Sequence, residues 1–233
     1  MKGMILSGMM GLCLLLGIWG ALGSSQLSVA EGEDDLTEDG QTATYSFSAM
    51  HATWDLTEAF DGEAKGECDA VKKDVMGEDA PDFVEAECLD DDTFYMEYSL
   101  SERCDYMTEE LDDMDDPPKE AKEDKEETCD AASAGTMGTI GMWGGIVCAL
   151  LAVLILVLPM AGVDALDAMP DVAKTIVSWA AGGLMLVGIL VWWMMMPDSD
   201  IDTGLGMTGW FGIIAAVLGL GAAGMDQFMP AEE

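Results

Sequence analysis

The sequence predicts a membrane α-helical bundle of about four transmembrane helices with a small α+β, disulfide-braced extracytoplasmic domain. Charge is segregated, since residues 31–130 hold 36 of the 45 acidic and seven of the nine basic residues, a net charge of −29. An uncharged apolar stretch of about 20 residues can cross a membrane as a helix. Four segments contain no charged residue: 3–30, 131–163, 175–197 and 203–225.

Residues 1–24 are predicted to form transmembrane helix 1 or a signal peptide. Lys2 precedes an apolar run to Gly23, and the small residues after it would allow cleavage near Gly23 or Ala30. The run is longer than a usual signal core. It also has small residues four apart, which suit close helix packing. Both properties favour a retained helix.

Three later helices are predicted at 136–160, 172–196 and 205–225. The first two stretches end at prolines, Pro159 and Pro197. Trp192-Trp193 suits the headgroup zone of a bilayer. Stripes of small residues in the last helix predict packing within the bundle, and alternatively a homo-oligomer. These stripes are Gly204, Thr208, Gly212 and Ala216, and Ala215, Gly219 and Ala223.

Orientation follows from the few positive charges beside the helices. Lys2 and Lys174 fall on one side, which predicts a multi-pass protein of the cell membrane with cytoplasmic N- and C-termini. The acidic domain then lies outside. The remaining predicted segments are a cytoplasmic loop (161–171), an outer turn (197–204) and a C-terminal tail (226–233).

The outer part is predicted to consist of an acidic linker (25–40) and an acidic domain (41–135). Alternation of apolar and polar residues predicts strands from Ala43 to Ala49 and from Phe94 to Leu100. Apolar residues near Cys68 have the spacing of a helix, and the charged segment 119–127 is also typical of a helix.

Four cysteines in the acidic domain predict two disulfides in an oxidising compartment, because an even set braces a domain with few apolar residues. Sequence allows three pairings. Sequential pairing closes the shortest loops and is preferred. The cysteines are Cys68, Cys88, Cys104 and Cys129.

No cofactor is predicted beyond weak association with divalent or monovalent cations. Asp198, Asp200 and Asp202 alternate like the first half of a calcium loop, but the bidentate Glu of such a loop is replaced by Gly209. The three aspartates are therefore weak metal candidates in a solvated turn. The single histidine, His51, is expected to be an ordinary residue of the sheet.

Several functional classes are disfavoured by these residues. Nucleic acid would be repelled by a net charge of −36, and no phosphate-binding, zinc or nucleophile motif occurs. We expect a non-enzymatic integral membrane protein that acts as an interaction or accessory subunit, although enzymatic activity stays open. Its expected partners are the lipid bilayer and another membrane or extracellular protein. The alternatives are an oligomeric small-solute or ion pathway and a cation-dependent membrane enzyme.

The layout is similar to the claudin and peripheral-myelin-type tetraspan architecture, with one helix, a long disulfide-bearing outer loop and three closely spaced helices. Those families carry a Trp, a Gly-Leu-Trp and two cysteines about ten residues apart. Here Trp54 stands alone, and Cys68 and Cys88 are 20 residues apart. The resemblance therefore implies topology alone.

Overall fold

The computed structural model divides the chain into two compact units. It describes residues 2–29, 41–59, 66–77, 80–114, 116–163, 169–196 and 203–228. The helix unit comprises Met1–Gly23, Met137–Met194 and Met207–Glu233, and the sheet unit comprises Ser24–Thr136 and Met195–Gly206.

The described residues form seven α-helices and six β-strands. The helices are α1 (Lys2–Leu22), α2 (Leu56–Ala59), α3 (Cys68–Val75), α4 (Leu100–Asp112), α5 (Lys119–Met160), α6 (Asp171–Met195) and α7 (Met207–Phe228). The strands are β1 (Leu27–Val29), β2 (Gln41–Tyr45), β3 (Ala49–Asp55), β4 (Val84–Cys88), β5 (Thr93–Ser99) and β6 (Thr203–Leu205).

Four of these helices, α1, α5, α6 and α7, are long and apolar enough to cross a membrane. The predicted charged helix and the predicted second transmembrane helix are parts of one helix, α5. No proline interrupts α5 before Pro159, which lies in its last turn. Helix α7 continues three residues beyond the predicted end, to Phe228.

Helices in the helix unit approach one another at glycines. Gly141 on α5 lies against Gly188 on α6, and Gly182 on α6 lies against Gly219 on α7. A Cβ atom on Gly20 of α1 would lie 2.9 Å from the backbone nitrogen of Gly212. Small residues permit such close backbone contact. Six of the seven residues in the predicted α7 stripes are buried within this chain: Thr208, Gly212, Ala216, Ala215, Gly219 and Ala223.

The strands form one antiparallel sheet in the order β4-β5-β3-β2-β1-β6. The prediction of a single strand from Ala43 to Ala49 is wrong, because the chain reverses between β2 and β3. The Ser46 N–H donates to the Ala49 carbonyl oxygen at 2.9 Å, and the Ser46 Oγ accepts from the Ala49 nitrogen at 2.9 Å. The turn explains why the apolar alternation changes phase after Ala49.

The predicted strand from Phe94 to Leu100 corresponds to β5, which ends at Ser99. The Ser99 hydroxyl accepts a hydrogen bond from the Glu102 nitrogen and caps α4. Neither α4 nor β4 was expected from the sequence pattern. The helix predicted around Cys68 is present as α3.

Two disulfides brace the sheet unit. Cys68 is bonded to Cys88, which joins α3 to β4, and Cys104 is bonded to Cys129, which joins α4 to α5. This is the sequential pairing. The core that the first bond closes is small, with three buried members, Leu56, Cys68 and Phe94.

We predict that the mature protein keeps α1. Removal of α1 would expose its contact surface on α7, and cleavage after Ala30 would also remove β1 from between β2 and β6. Intact-mass measurement of the purified protein should return a chain that includes residues 2–29. A mass without the first 23 residues or more would contradict the role of α1 in the packing.

We also predict that Gly20→Ala destabilises the helix unit by about 1–3 kcal/mol, the usual range for overpacking. The new Cβ atom would meet the backbone of Gly212 and Thr208, which a rotamer change cannot move. Gly8→Ala is the matched control, since nothing lies within 4 Å of that position. Thermal unfolding in detergent should show a lower midpoint for Gly20→Ala and no lower midpoint for Gly8→Ala. Equal midpoints for both variants would argue against close α1–α7 packing.

Candidate functional site

The pairing of β4 with β5 places three glutamates and a tyrosine on one face of the sheet. Glu85 is opposite Glu97, and Glu87 is opposite Tyr95. Because side chains alternate along a strand, the intervening Ala86 and Met96 point to the other face, toward the small core. We call the group of Glu85, Glu87, Tyr95 and Glu97 the acidic edge, since β4 is the outermost strand of the described sheet.

The acidic edge surrounds an open depression of about 340 Å³. Glu85 and Glu87 are exposed, whereas Tyr95 and Glu97 are half-buried. Carboxylates accept hydrogen bonds from ammonium and guanidinium groups, and an aromatic face attracts cations. The depression therefore suits a cationic side chain. Its lining consists of Glu85, Ala86, Glu87, Leu89, Tyr95 and Glu97.

His51 adjoins the acidic edge from β3, directly opposite Glu97 in the sheet register. Leu100 donates its backbone N–H to Ser48 and Leu56 donates to Asp92, so the hydrogen-bonded pairs of β3 and β5 involve even-numbered residues. His51 and Glu97 therefore form a non-hydrogen-bonded pair, in which side chains lie closer together.

A hydrogen-bond relay joins His51, Tyr95 and Glu97. The Tyr95 hydroxyl donates to Glu97 Oε2 at 2.8 Å, so its oxygen is left to accept from His51 Nδ1 at 2.7 Å. His51 Nδ1 also lies 3.3 Å from Glu97 Oε2. This arrangement assigns the proton of neutral His51 to Nδ1. His51 is 8% exposed, and its Nε2 is buried with no hydrogen-bond partner among the described residues.

Burial and charge act in opposite directions on His51. Burial lowers the pKa of His51 below its ordinary value, and the charge and hydrogen bond of Glu97 partly offset that decrease. The pKa of Tyr95 is raised by burial first, and then by the bond to Glu97 and by the neighbouring carboxylates. Tyr95 therefore remains a protonated donor at neutral pH.

A second depression, of about 430 Å³, lies between the end of α4 and the first turns of α5. It contains two lysines, Lys122 and Lys125, and three acidic residues, so it has no uniform charge. Its lining consists of Leu111, Asp112, Pro117, Lys122, Lys125, Glu126, Cys129 and Asp130. Such mixed charge gives less selectivity for one ligand sign than the acidic edge does.

The structure describes some of the site residues predicted from the sequence and not others. Asp198, Asp200 and Asp202, the weak metal candidates, lie outside the described residues. Within the residues that the structure describes, no three His, Cys, Asp or Glu side chains converge in a way that would hold a metal ion. His51 is a sheet residue, but its relay with Tyr95 and Glu97 was not anticipated, because that relay depends on strand register.

No protein family matches the chain, and no curated protein is significantly similar to it in sequence.

We predict that Glu97→Gln lowers the pKa of His51 further. The substitution removes the negative charge that favours the imidazolium, while the burial that disfavours it remains. Because the chain has one histidine, its NMR signal can be assigned without ambiguity.

Glu109→Gln on an exposed turn of α4 is the matched control and should leave the pKa of His51 nearly unchanged. Because the folded-state pKa of His51 is depressed, its contribution to stability is full above the unfolded pKa. That contribution decreases as the pH falls below the unfolded value. An unchanged pKa in Glu97→Gln would show that the relay is absent.

Proposed function

We propose that this chain is a non-enzymatic, multi-pass protein of the cell membrane and serves as an interaction or accessory subunit. In this proposal the sheet unit is extracytoplasmic, and an extended basic segment of another membrane or extracellular protein binds at the acidic edge. The partner segment adds to β4 as a further strand.

Outward-facing apolar side chains on the four long helices support the membrane assignment. Met194 is 84% exposed and Trp19 is 65% exposed. Contiguous apolar surface in water costs about 25 cal/mol per Å², whereas lipid tails solvate it. A bilayer is therefore the solvent that these helices fit.

Charge and cysteine chemistry support the proposed orientation. Lys174 lies in the first turn of α6, near the predicted cytoplasmic loop, and positive charges favour the cytoplasmic side. The sheet unit contains both disulfides, which persist in oxidising compartments outside the cytosol. Both observations favour cytoplasmic termini and an external sheet unit.

The backbone of β4 on the side away from β5, which no described strand pairs with, is the observation that carries the docking proposal. Leu89 donates its N–H to Thr93 at 3.0 Å, and Ser99 donates to Phe83 at 3.4 Å. Antiparallel pairs alternate, so odd-numbered residues of β4 direct their backbone groups to β5. Ala86 and Cys88 consequently direct theirs away from the sheet. An extended peptide can pair with such groups by strand addition.

The charge of the acidic edge selects the partner. A strand added beside β4 would place its side chains next to Glu85 and Glu87. Opposite charges in cross-strand positions stabilise a pair, and like charges destabilise it. A second copy of β4 would bring glutamate against glutamate, which disfavours self-association. Alternating lysine or arginine in an extended segment gives the best complement.

The interior of the helix unit favours an accessory role over a solute pathway through one copy. Among the described residues of this unit, Thr208 is the one polar residue that is buried. Glycine contacts bring α5, α6 and α7 together at their backbones. Ion pathways need polar or ionisable groups along their length, and these packed surfaces supply few.

We predict that a soluble peptide of alternating lysine and threonine binds the full-length protein in detergent with a dissociation constant of about 10–100 μM, typical of a modest interface. Glu85→Lys together with Glu87→Lys should weaken binding at least about tenfold, because it replaces attraction by repulsion at both positions. Isothermal titration calorimetry measures this difference.

The control variant carries the same charge change elsewhere, as Glu109→Lys with Glu110→Lys on the exposed surface of α4. It should bind the peptide within about threefold of the unmodified protein, since distant surface charges are screened. Equal weakening in both variants would indicate diffuse charge attraction and would sink the docking proposal. So would absence of binding by the unmodified protein.

A further inference from the structure

His51 is the one side chain of this protein whose ordinary pKa lies between pH 5 and 8. It is buried beside the acidic edge, and its relay ends on Glu97, one of the three glutamates around the depression. A proton gained or lost at His51 therefore changes the charge next to the proposed docking surface.

The neutral form of His51 fits its surroundings better than the protonated form. Neutral His51 donates from Nδ1 to Tyr95 and keeps an unprotonated Nε2. Protonation adds an N–H at Nε2, where the described residues provide no acceptor. A buried donor without an acceptor is unfavourable, so His51 is harder to protonate here than in water.

Among the residues that the structure describes, few charged groups on the elements packed against β3 share the face of His51. Glu97 and Tyr95 come from β5, with Glu85 and Glu87 of β4 behind them. Thr44, the residue of β2 opposite His51, is uncharged. Tyr45 of β2 is opposite Met50 and so lies on the other face of the sheet, and burial raises the pKa of its hydroxyl to about 12.

Helix α4 also packs against β3, and its cation has other partners. Arg103 Nη1 donates to the Tyr98 hydroxyl at 2.8 Å, and Arg103 Nη2 lies 3.5 Å from Asp124 Oδ2. Tyr98 occupies the face of β5 opposite to Glu97, because side chains alternate along the strand. Glu97 therefore dominates the charge near His51.

We propose that His51, Tyr95 and Glu97 form a proton-sensitive latch that weakens docking of a basic segment when the surroundings become acidic. The inference rests on the proposed docking function and adds its regulation. Imidazolium at 3.3 Å from Glu97 Oε2 offsets one of the three carboxylate charges that attract the partner. Linkage requires the converse as well: a bound cationic segment must make His51 harder to protonate.

The test combines one peptide, one variant and two readouts on the full-length protein in detergent. Affinity of the lysine–threonine peptide is measured at about pH 7.5 and at about one pH unit below the pKa that NMR gives for His51, because burial holds that pKa below its ordinary value. We expect affinity to fall about three- to tenfold at the lower pH, as a single nearby charge would cause. His51→Asn keeps a donor near Nδ1 without titrating, and its affinity should be nearly independent of pH.

NMR titration of the single histidine is the second readout. The peptide should shift the pKa of His51 downward in the unmodified protein. A peptide of alternating glutamate and threonine should not lower it. This readout does not depend on whether the His51→Asn variant folds.

The outcomes separate the latch from the docking function. Equal affinity of the unmodified protein at both pH values, with an unshifted His51 pKa, would overturn the latch and leave docking intact. An equal loss of affinity in His51→Asn would also overturn the latch, because carboxylates would then be the titrating groups. No binding at either pH would contradict the docking function itself.

Discussion

Repulsion among carboxylates is the main force that the fold of the sheet unit must offset. Residues 31–130 carry a net charge of −29, while the core around Leu56, Cys68 and Phe94 is small. The strand period of two sends Glu85 and Glu87 to one face and keeps apolar residues on the other. Disulfides add stability without apolar area, each by about 2–4 kcal/mol. Together these devices hold an acidic chain in a defined sheet.

The same arrangement of carboxylates leaves β4 as an edge strand that can bind a partner in our proposal. Carboxylates concentrated beside an outer strand disfavour pairing with a like-charged strand, and they also attract cations. Backbone groups of Ala86 and Cys88 then provide directional hydrogen bonds, which diffuse charge attraction does not provide. His51 adds a third property, because its buried relay ties the charge of this edge to the proton concentration.

The sequence was sufficient to predict the four long apolar helices, because 18 or more uncharged residues rarely have another fate. It also predicted α3, and its preferred cysteine pairing is present. The hairpin at Ser46 was missed, since small polar residues continue an alternating pattern through a turn. The relay was not predictable, because Tyr95 and Glu97 meet His51 only through the register of β3 and β5.

The most direct test of strand addition is residue-resolved hydrogen exchange with and without the lysine–threonine peptide. Ala86 and Cys88 direct their amides away from β5, so bound peptide should slow exchange at these two positions. Exchange at Glu85 and Glu87 should change little, because their amides already bond to β5. Protection at neither Ala86 nor Cys88, or protection centred on another surface, would contradict docking at the acidic edge.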